Sequence, residues 1–316
     1  MQELLTQFVP AADEVARLQR SETEEARLFQ EIAEQGHYAG RTQPSRTRQG
    51  IYALAPSGVF LASINTRHGE RVEAMLEKAL ARWDALPEAE RYRNAPLANE
   101  HLSQRLERFY PEGGLALRVT TRDLPREKVT TGWRGKAWNL DYAWLRKHEA
   151  RMLLPDVIEA GAPHEWPQEL TNRIARSHMV DNVRGQVPSF GGENDEVTAS
   201  MTSYLGPPAD GQVSLHIQGT MRCMTPGRNA HEGGERPDGP EHRERGFETT
   251  LLGHATFDLE HQRFTTFDLV ALGTRWGGSR YNGRDDDTEP APVGVLFSLA
   301  PERERVAPAL FWAYRW

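Results

Sequence analysis

From residue 196 onward the hydrophobic pattern has a period of two, and it keeps that period through five successive segments. They read VTASMTSYL, GQVSLHIQGTMRCM, GFETTLLGHATFDL, RFTTFDLVALGTRW and PVGVLFSLA. Strict alternation sends neighbouring side chains to opposite faces of a pleated ribbon, so each segment predicts a strand with one buried and one wet face. Short links between consecutive strands predict an antiparallel β-meander, curled towards a partial barrel. Glu260, His261 and Gln262 predict a tight hairpin between the third and fourth strands. Between the second and third lies TPGRNAHEGGERPDGPEHRERG, too rich in Gly, Pro and charge to build a core, and it predicts a loop.

Upstream, GLALRVTTRDLP alternates like a strand, with Leu115, Leu117 and Val119 on one face. Two helices are expected next. WNLDYAWLRKHEARMLLP is closed by Pro155, and WPQELTNRIARSHMVDNVRG opens with Pro167 and closes at Gly185. A further helix is expected over NEHLSQRLERFYP. The charged, proline-punctuated stretch DALPEAERYRNAP reads as a boundary. The expected organisation is therefore α+β in two parts, residues 1–92 and residues 96–316.

The first part carries a family likeness. QGIYALAP, a Ser-Gly turn, VFLASINT and the amphipathic stretch HGERVEAMLEKALARW read strand, turn, strand, helix. This order resembles the second half of a thioredoxin-like domain. LLTQFVPAADEV resembles the strand that follows the active-site helix of that family, with the segments before it missing. Arg46, Thr47, Arg48 and Gln49 stand where the family carries a proline. The chemistry that the resemblance implies is dithiol exchange, which needs two thiols at C-x-x-C spacing. The chain has one cysteine, Cys223, far outside this region. A truncated thioredoxin-like domain without its redox activity is the expectation.

Composition narrows the function classes. A formal charge of −7 with 26% charged residues argues against a nucleic-acid partner, which calls for a basic stripe to displace counterions. No apolar run reaches the roughly 18–20 residues of a transmembrane helix. The start, MQELLTQFVPAADEV, lacks the basic and apolar regions of a signal peptide, so a cytoplasmic location is the default expectation. P-loop, dinucleotide and nucleophile-elbow motifs are not found. His148 and Glu149 begin like a zinc-protease helix, but Met152 stands in the place of the second histidine, leaving a salt-bridge role.

Two clusters are candidate sites. Residues 273–292 concentrate Arg275, Trp276, Arg280, Tyr281, Asn282 and Arg284 beside Asp285, Asp286 and Asp287. Glycines, anion-binding arginines and an aromatic platform make a ligand-facing loop; the alternative is a packed loop in which the arginines pair with the aspartates. His216 and His254 fall on the polar faces of their strands. With His178 they could bind a divalent metal, Asp258 or Asp268 orienting a water or an imidazole, or each could hydrogen-bond across a strand pair. Cys223 is expected to be buried and inert, and the aromatic end APALFWAYRW to dock on its own domain. The leading reading is a non-redox binding or scaffold protein for a small-molecule or protein ligand, with its site on the C-terminal sheet. The competing one is a metal-assisted hydrolase or oxidoreductase.

Overall fold

Eight strands of the second part pair into one antiparallel sheet, six of them where the period-two pattern predicts strands. The computed structural model describes residues 2–13, 15–39, 47–66, 68–92, 106–127, 130–227, 244–279 and 281–316. The chain divides into two compact units, residues 1–105 and 106–316. No described helix is long and apolar enough to cross a membrane.

Unit 1 contains α1 (Gln2–Leu5), α2 (Val15–Leu18), α3 (Glu24–Gln35), β1 (Ile51–Leu54), β2 (Phe60–Ile64), α4 (Gly69–Ala85) and α5 (Glu88–Arg91). β1 and β2 form an antiparallel hairpin in which Ala55 N–H donates to the Val59 carbonyl. Gly58 takes φ +92 there, a conformation that favours glycine and explains the Ser-Gly turn. The period-3.6 stripe Met75, Leu76 and Ala79 of α4 packs onto Ala53, Leu61 and Ala62. Phe8 to Pro10, expected as a strand, lie outside regular structure, and Val9 is 95% exposed. The proline has no N–H to give a ladder. The sheet of this unit therefore has two strands among the described residues.

Unit 2 contains β3 (Leu115–Asp123), α6 (Gly132–Lys136), β4 (Trp138–Leu145), α7 (Lys147–Arg151), β5 (Pro163–Glu165) and α8 (Gln168–His178). Then come β6 (Glu196–Leu205), β7 (Gln212–Thr225), β8 (Arg245–Asp258), β9 (Arg263–Trp276) and β10 (Ala291–Leu299). The sheet order is β4-β3-β10-β9-β8-β7-β6-β5, so β5 to β10 are a meander to which the β3–β4 pair is added. β4 and β5 are the two edges, and the sheet stays open. Asp258 secures the β8–β9 hairpin by accepting the N–H groups of Glu260 and His261 at 2.9 Å.

One helix expectation is corrected. Residues 138–145 are strand β4, and only Lys147–Arg151 are helical. Trp138, Leu140, Tyr142 and Trp144 alternate with Asn139, Asp141, Ala143 and Leu145, and the second set pairs in register with β3 on the core side. α8 also stops at His178, short of Gly185. Its Leu170, Ile174 and Ala175 join Leu215, Ile217, Leu251, Phe257, Leu269, Val295 and others in a single core on the inner face of the sheet.

The aromatic end docks on its own unit. Phe311 and Tyr314 pack with Ala116, Tyr142, Trp144 and Ala300. Trp144 N–H, on the edge strand, donates to the Tyr314 hydroxyl at 3.3 Å, and Tyr142 N–H donates to Asp141 at 2.7 Å. These contacts satisfy edge groups that would otherwise invite another strand.

Candidate functional site

The alternation of β9 separates two residues that the sequence groups together. Arg275 points to the inner face and Trp276, its neighbour, to the outer one. Arg275 and Arg284 are fully buried, and Asn282 is 1% exposed. Arg284 forks onto two carboxylates: its Nε and Nη2 each donate to Asp181 at 2.7 Å, and Nη2 and Nη1 donate to Asp123 at 2.6 and 2.8 Å. Arg275 Nη2 lies 2.8 Å from Asp287, and its Nη1 donates to the Asp287 and Glu289 carbonyls. Arg126 and Arg184 complete the cluster on Asp287 and Asp123.

Burial alone would raise the Asp287 carboxyl, but hydrogen bonds from Arg126 and Arg275 outweigh it and hold the group far below its ordinary value. Burial would lower the Arg284 guanidinium; Asp123 and Asp181 reverse that and raise it. Asn282 accepts the Ser279 N–H at 3.0 Å and so folds the loop on itself. Arg275, Asn282 and Arg284 are thus buried in an ion-paired lock, which corresponds to the paired-arginine alternative. Tyr281 is 55% exposed, and Arg280 lies outside the described residues.

The outer face holds what the loop does not. A groove of about 910 Å³ crosses β6, β7, β8 and β9 at the end that carries Trp276. Register lays its floor in rows. Thr198, Arg222, Glu248 and Thr274 are cross-strand neighbours in one; Thr220, Thr250 and Leu272 follow in the next; Gly246 and Trp276 close the end. Glycine at 246 makes room for the ring: a Cβ there would meet Trp276 Cζ2 at 2.0 Å and displace it, so the indole lies against bare backbone. Trp276 Nε1 donates to Glu244 at 2.8 Å and fixes the ring. Arg222 pairs with Glu248 at 3.4 Å and stands 6.0 Å from the indole centroid. Arg222, Glu248 and the threonines were not singled out from the sequence; the signal was their place on the same polar faces as His216 and His254.

The three-histidine expectation is corrected. His216 and His254 are cross-strand partners on the outer face, with ring centroids 5.0 Å apart. His178 sits under the inner face, 2% exposed and edge-on to Phe297. Its Nε2 shares a 2.5 Å hydrogen bond with the Tyr314 hydroxyl, and its Nδ1 is 3.7 Å from Asp141. The sheet itself stands between the two sets. Asp258 is committed to its hairpin, and Asp268 lies opposite His254 in register. Among the described residues no group of three His, Cys, Asp or Glu side chains is placed to hold a metal.

Cys223 is fully buried on the core side of β7, and burial pushes its thiol up to about 12. Glu149 is held below its usual range by two hydrogen bonds from Arg173, which overcome the opposing effect of burial. Comparison of the chain with protein-family models, curated proteins and solved structures finds no match.

Proposed function

We propose that this is a non-redox binding protein whose ligand lies in the outer-face groove of the eight-stranded sheet. The observation that carries the reading is Trp276: an indole laid flat on Gly246, tied at Nε1 to Glu244, at the mouth of a groove of about 910 Å³. A half-buried aromatic beside a few fixed polar groups is the usual make-up of a small-molecule site. The lone, buried Cys223 leaves no thiol pair for dithiol exchange. Unit 1 is read as a reduced thioredoxin-like module that serves packing or interaction, and its strand-turn-strand-helix order supports this reading.

The test is a ligand-observed NMR screen of a fragment library against the full chain and its Trp276→Ala variant. Hits that bind the native chain should lose at least about tenfold in affinity in the variant, equivalent to about 1.4 kcal/mol. The variant should melt within about 4 °C of the native protein, a loss of roughly 1 kcal/mol for a unit of this size. A screen whose hits ignore the substitution removes the groove from consideration.

A further inference from the structure

We infer that the groove takes a neutral polyhydroxylated ligand, a short oligosaccharide, an assignment that rests on the binding role proposed above. Three properties of the floor point the same way. First, the indole of Trp276 is held by backbone beneath it and by Glu244 at its edge, so it presents a rigid apolar plane without first having to be ordered. The C–H face of a pyranose stacks on such a plane.

Second, the hydrogen-bonding groups beside that plane include both donors and acceptors. Thr198, Thr250 and Thr274 each carry a hydroxyl that does both, and the Thr220 hydroxyl shares a 3.2 Å hydrogen bond with Ser200. Arg222 offers a donor fork next to the acceptor pair of Glu248, 3.4 Å away, with side chains 49% and 61% exposed. So loose an ion pair opens at little cost. Vicinal diols, which donate and accept through adjacent oxygens, match this combination. Adjacent strands about 4.8 Å apart set these polar groups side by side across the groove.

Third, the charge balance rejects the rivals. Among the described lining residues, one arginine against Glu244 and Glu248 leaves one excess negative charge, in a chain of formal charge −7. Phosphorylated, sulfated and carboxylated ligands are repelled. An added cation would meet Arg222, whose guanidinium already stands over the ring at 6.0 Å. Among the described residues the apolar side chains that line the groove are Leu272, Pro290 and the ring, with Met221 turned to the core, so the apolar surface a lipid tail would meet is broken up by the threonines and the ion pair.

The experiment is saturation-transfer NMR on the full chain with maltohexaose, cellohexaose and chitohexaose, and with arginine amide as the cationic comparison. At least one hexasaccharide should bind with a millimolar or tighter dissociation constant. Trp276→Ala should weaken it about tenfold or more, the scale of one lost stacking contact. Thr250→Val, an exposed and nearly isosteric change on a strand, should weaken it about threefold or more without disturbing the fold. Circular dichroism checks the fold of both variants. If no hexasaccharide binds, or if binding survives both substitutions, the assignment is wrong. Trp276-dependent fragment hits without sugar binding would overturn the ligand class and leave the binding role standing. No hits of either kind would overturn both.

Discussion

Replacing Asp287 by asparagine isolates the charge of the buried lock from its packing, since the two side chains have nearly the same shape. Asp287 is 7% exposed. Its Oδ2 lies 2.7 Å from Arg126, 2.8 Å from Arg184, 2.8 Å from Arg275 and 3.1 Å from Arg284. The native cluster sets four guanidinium groups against three carboxylates, and Asp287→Asn leaves two. Removing one partner of a buried ion pair costs about 3–5 kcal/mol, because the remaining charge stays desolvated. Arg284 and Arg184 keep Asp123 or Asp181, which holds the loss within that range. For a unit of this size the melting temperature should fall by about 6–20 °C near neutral pH, measured by calorimetry.

The pH dependence provides a second reading of the same charge. The folded chain holds the Asp287 carboxyl below its ordinary value of 3.8, so the stability it contributes is complete above that value and drains away as the pH falls. Each such group steepens the acid limb by up to about 1.4 kcal/mol per pH unit. Native and variant curves should therefore converge towards acid. A fall of less than about 2 °C near neutral pH, or a gap that stays constant down to about pH 3, would refute the lock as a source of stability.

Two further outcomes follow from buried groups. Cys223, its thiol pushed up to about 12, should resist labelling by a disulfide reagent at about pH 8 in the native state and react at once in denaturant; fast native labelling contradicts its burial. Tyr314→Phe strands the His178 ring nitrogen and the Trp144 N–H, and should cost about 1–3 kcal/mol in urea unfolding; a neutral result would mean that the C-terminal segment is not held by that hydroxyl.

Much of the second unit was readable from its pattern. The five segments after residue 196 become β6 to β10 almost residue for residue, because each buries one face and the alternation that reports it is long. The failures have local causes. Residues 138–145 run with no Pro or Gly break into a true helix at Lys147–Arg151, and the helical reading extended back over a strand whose aromatics alternate. α8 ends at His178, where Met179 leaves helical geometry at φ −86 and ψ 62, and Asp181 just beyond it pairs with Arg284. The candidate loop was seen as a concentration of Arg, Trp and Asp, with no means of telling which arginine had a partner.

The amino-acid order by itself determined which face of each strand a residue occupies, and that the chain's one thiol cannot exchange with a second. Tertiary structure alone decided who stands beside whom. Arg284 meets carboxylates 161 and 103 positions away, and His178 meets Tyr314 across 136. A period of two tells a side chain up from down, but neighbours across strands are set by register and sheet order, which the pleat repeats without marking. So Arg275 went into the lock and Trp276 into the groove by alternation, while the partners that give each its role came from distant chain brought alongside.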